Sequence, residues 1–166
     1  MPARSITELP FVERPLRELL DLDVDRDDVN RDYAGFGWAR APVVWLEAAG
    51  APARRVDDAL VIAVHTADDA EPLADDLELE FELPDGPVAV LASTFLERWL
   101  PELPHGSAIV LVICNPHRAA LRRPAAATVP VHYGLGDVAA WREPPSGEGG
   151  ERGDRILLTA EDWCIL

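Results

Sequence analysis

The stretch SAIVLVICNPHRAAL, residues 107–121, frames the rest of the chain. Its first eight residues, 107–114, are almost wholly apolar. A short run with no polar alternation predicts a strand buried on both faces, the place of a central strand. The residues just after it read as punctuation. Asn115 suits a helix N-cap and Pro116 the first helical position, so His117 and Arg118 fall in a first turn.

The same junction is the first candidate for chemistry. Cys114 stands at a strand end just before a helix start. The positive end of the helix dipole lowers the pKa of a thiol there and favours the thiolate. A strand-end cysteine with a histidine in reach is the layout that thioester or acyl transfer and thiol hydrolysis require. Cys114 and His117, with His132 from a later strand, are therefore the catalytic candidates. Against this, no glycine-rich turn succeeds Cys114, and each residue of the junction has a structural use.

On the N-terminal side, LELEFELPDGPVAVL (77–91) alternates Leu77, Leu79, Phe81 and Leu83 with Glu78, Glu80 and Glu82. That is a half-exposed strand with glutamates on its wet face, then a PDGP turn and a returning strand. Thr94 and Glu97 have capping-box spacing and predict a helix with Phe95, Leu96, Trp99, Leu100 and Leu103 inward. DALVIAVHTA (58–67) and VPVHY (129–133) read as strands. RILLTAEDWCIL (155–166) reads as a final strand inside the fold. ERPLRELLDL (13–22) places Leu16, Leu19 and Leu20 on one helical face. PPSGEGGERGD (144–154) has the composition of a flexible surface loop. Tyr33, Phe36, Trp38 and Trp45 lie close in sequence and suit core packing better than a ligand platform.

These elements predict an α+β fold. One compact domain spans residues 1–166. It has a mixed or mainly antiparallel sheet of about five to seven strands, with two or three helices packed on one face. The 166 residues suffice for a core that needs no metal or disulfide.

Charge narrows the function. The chain carries 30 acidic and 15 basic residues, a formal net charge of -15. Such a surface repels phosphate backbones and anionic membranes and attracts basic partners. The densest acid lies in LDLDVDRDDVN (20–30). There Asp21, Asp23 and Asp25 have calcium-loop spacing, but Arg26 replaces the required glycine and Asp32 the bidentate glutamate. Leu20, Leu22 and Val24 alternate with those acids, so an extended segment showing Asp21, Asp23 and Asp25 to water is the plainer account. With Glu78, Glu80 and Glu82, they form the candidate partner-binding set.

Every basic residue is arginine, and the chain has no lysine or glutamine. Lysine codons are AT-rich, so the composition points to a GC-rich bacterial genome. It also excludes lysine nucleophiles and Schiff-base chemistry on a side chain. Cys114 and Cys164 both sit in apolar runs, predicting two buried thiols in a reducing cytoplasmic compartment. The opening residues lack the apolar region of a secretory signal, and no run is long enough for a membrane span. No nucleotide-binding loop, nucleophile elbow or metal-ligand spacing occurs, so neither a cofactor nor a metal is expected. Two function classes remain. The first is a non-catalytic accessory protein, such as an inhibitor, immunity protein or complex subunit, that docks a basic protein through its acids. The second is a small thiol-dependent enzyme built on Cys114.

Overall fold

The computed structural model describes residues 12–20, 37–66, 78–83, 86–104, 106–113, 124–125, 127–135, 138–143 and 155–165. In chain order they form α1 (Leu16–Leu19), β1 (Gly37–Ala48), β2 (Arg54–Thr66), β3 (Glu78–Leu83), β4 (Gly86–Leu91) and α2 (Ala92–Trp99). A short 3-10 helix, Leu100–Glu102, then leads to β5 (Ala108–Ile113), β6 (Val131–Leu135), β7 (Ala139–Glu143), β8 (Arg155–Ala160) and β9 (Asp162–Ile165).

The main sheet has the order β7-β8-β1-β2-β5-β6-β9, with β3 and β4 attached beside the end of β2. It is mixed. The β2–β5, β5–β6 and β1–β8 pairs are parallel, while β1–β2, β6–β9 and β7–β8 are antiparallel. β5 is an interior strand between β2 and β6, and all six of its residues are buried, as its uniform apolarity predicts.

The two faces of β5 serve two cores. Ile109, Leu111 and Ile113 join Leu60, Ile62, Val64, Val131 and Tyr133 beneath α2 and the β3–β4 hairpin. Phe81 of β3 meets Phe95 of α2 there, ring centroids 5.2 Å apart. On the other face Ala108, Val110 and Val112 join Ala39, Ala41, Ala59, Ala63 and Leu158, with Leu19 and Leu20 from the α1 region. The two described α-helices therefore pack on opposite faces, not on one. A strand apolar on both sides leaves two surfaces to cover, and each helix covers one.

α2 also begins earlier than its predicted cap. Leu91 holds the N-cap position and makes no side-chain cap bond. Glu97 instead accepts a hydrogen bond from the backbone N–H of Ala125. Phe95, Leu96, Leu100 and Leu103 are buried as expected, while Trp99 is only partly buried.

β1 and β2 share one irregularity. Ala39 and Ala41 point into the second core, but further along the inward residues are Val44 and Leu46. The partner strand makes the same change, from Ala63, Val61 and Ala59 to Val56. Between them Pro42 lacks an N–H, and Asp58 adopts φ 50°. Two residues on each strand thus turn outward together, and the hairpin bends. The bend is tied to β5, because Ser107 donates its backbone N–H to the Asp58 carbonyl at 2.8 Å and its hydroxyl to Asp58 Oδ2 at 3.3 Å. Gly106 is required at this junction, since a Cβ there would sit 2.1 Å from the Asp58 carbonyl oxygen.

The final segment makes two strands where one is predicted. β8 pairs with β1, and after Glu161 the chain enters β9, which pairs with β6. β1 and β6 are separated in the sheet by β2 and β5. One short segment therefore joins distant strands, and the sheet curls to allow it. The Trp163 indole of β9 donates to the Glu47 carbonyl of β1 at 3.2 Å. The Glu161 N–H donates to the Leu135 carbonyl of β6 at 3.1 Å.

Candidate functional site

The curl brings the β1–β2 turn against β9. Leu46, Ala48, Ala51, Pro52 and Arg54 of the hairpin and Asp162 and Trp163 of β9 line a pocket of about 180 Å³. Trp163 is positioned from below. It lies opposite Gly134 of β6. A Cβ on Gly134 would meet Val138 Cγ2 at 2.9 Å, Ala160 Cβ at 3.1 Å and Trp163 Cη2 at 3.3 Å. Glycine thus lets the indole lie on the strand. The Asp162 side chain accepts the Trp163 backbone N–H through Oδ1 at 2.9 Å, leaving Oδ2 for other partners.

His132 supports this wall. Only 7% of it is exposed, and it is the buried polar residue among those described. Arg54 Nη2 lies 3.2 Å from His132 Nδ1. A guanidinium can only donate, so Nδ1 is the bare acceptor nitrogen and the ring proton sits on Nε2. Burial first, and the Arg54 charge second, hold the imidazole pKa below its ordinary value. His132 is therefore neutral at pH 7 and does not offset the charge of Arg54. No described carboxylate pairs with Arg54, although Asp162 lines the same pocket.

Of the predicted catalytic set, His132 alone is placed, and its contact is Arg54. Cys114 and His117 lie outside the described residues, as do Asp21, Asp23 and Asp25. Glu78, Glu80 and Glu82 fall on β3 as expected, opposite Leu91, Ala89 and Pro87 of β4. Glu80 also lies beside His65 of β2 and is half-buried. Cys164 is a free thiol on β9, opposite Tyr133, and is half-buried where burial was expected. Among the described residues no group of three His, Cys, Asp or Glu side chains could hold a metal ion. No described helix is long and apolar enough to cross a membrane.

Sequence reasoning missed Arg54, Asp162 and Trp163. Arg54 and His132 are 78 positions apart, with no shared motif. The one signal in the sequence is compositional: Arg54 and Arg55 are adjacent cations in a strongly acidic chain. Comparison with family models, with curated proteins and with solved structures finds no match.

Proposed function

We propose that this chain is a non-catalytic accessory protein that docks a basic protein partner through its acidic surface. One observation carries the reading: among the residues whose burial is described no carboxylate is buried, in a chain of net charge -15. Charge so placed projects a field outward, which speeds encounter with a cationic partner and turns away anionic ones. Asp57, Asp58, Glu97, Glu102, Glu161 and Asp162 are exposed members of this set.

The test is capture by the immobilised full chain at about 50 mM and about 500 mM NaCl, where the screening length shrinks severalfold. Proteins retained at low salt should be basic and should elute at high salt. A retained set that is not basic, or that ignores salt, overturns the proposal.

A further inference from the structure

The pocket between the β1–β2 turn and β9 carries a second, independent assignment. Arg54 and Asp162 both line it, both are exposed, and they make no ion pair with each other. Arg54 is hydrogen-bonded to a neutral histidine, which leaves the rest of its donor fork available. Asp162 uses Oδ1 on the Trp163 N–H and keeps Oδ2. The other lining residues are Leu46, Ala48, Ala51, Pro52 and Trp163, all with apolar side chains.

We infer that this pocket binds a small zwitterion of the apolar α-amino-acid class. Its carboxylate meets Arg54, its ammonium meets Asp162, and its side chain lies on Trp163. The charge of the whole molecule favours this class over its neighbours. A lone carboxylate must approach a chain of net charge -15, which repels it. A lone cation is drawn to every acidic part of the surface and gains no selectivity here. A net-neutral ligand with both charges crosses that field freely and offers a partner to each charged lining group. Aromatic and aliphatic walls with a few placed polar groups are the usual make-up of a small-molecule site. Both charged groups are solvent-exposed, so each contact is weak and the dissociation constant is on the order of 1 mM.

The experiment is an NMR titration of the full chain, following the Trp163 indole and backbone N–H signals, with the indole peak assigned through Trp163→Phe. L-Leucine, L-leucinamide and N-acetyl-L-leucine are compared. L-Leucine should shift these signals saturably, and each blocked derivative should bind about tenfold more weakly. Arg54→Gln should erase the preference over leucinamide, and Asp162→Asn the preference over N-acetyl-leucine. Both positions are exposed, so the fold should survive these changes. The derivative series on the unaltered chain needs no variant at all. No saturable shift up to about 50 mM, or a blocked derivative that binds as well as L-leucine, overturns the inference. Neither result bears on salt-dependent capture of a basic protein.

Discussion

His132 is a residue whose protonation the fold opposes. Burial disfavours its charged form, and the Arg54 guanidinium repels it. A base with a lowered folded pKa binds its proton more readily in the unfolded chain. The stability it contributes is therefore full above its unfolded value, near 6.5. That contribution falls away as pH drops through the lower folded value. Urea unfolding from pH 8 downward should show the natural chain losing stability faster than His132→Leu below about pH 6.5, by at most ~1.4 kcal/mol per pH unit. Parallel curves would show that His132 titrates alike in both states. The same residue illustrates what a sequence conceals. VPVHY marks a strand, yet nothing in it says that the histidine faces an arginine from the start of β2.

At the scale of elements, the seam between β2 and β5 depends on Gly106. A methyl group there collides with the Asp58 carbonyl, and Asp58 is already in the left-handed region and bonded to Ser107. Gly106→Ala should cost roughly 1–3 kcal/mol, read as a lower urea midpoint with an unchanged m-value. An unaltered midpoint would mean the seam can shift without loss. Elements with one clean period were legible beforehand. β5 showed unbroken apolarity, and β3 showed strict alternation. β1 and β2 were harder, because their inward residues change parity at Pro42 and Asp58 and a single period fits neither strand throughout. β8 and β9 merged into one predicted strand, since only Glu161 separates them and both carry apolar residues. The pocket was not legible. It exists because the sheet curls, and curl is a property of pairings far apart in sequence.

At the scale of the whole molecule, the net charge of -15 works against compactness, because like charges confined to one surface repel. Adding NaCl from about 0.02 M to about 0.3 M screens that repulsion and should raise the melting temperature. For a chain of this size each ~1 kcal/mol gained raises it by about 2–4 °C. A melting temperature that stays flat or falls over this range would show that attractive pairs balance the repulsion. Topology has a different consequence, one of time. Trp45 of β1 lies beside Leu157 of β8, 112 positions later (157 minus 45). At ~5–20 residues per second a ribosome needs roughly 6–22 s to travel from one to the other. Through that interval the Trp45–Ala48 part of the β1 edge lacks its native neighbour, and an open edge invites pairing with other chains. That part of β1 stays uncovered until β8 has been made.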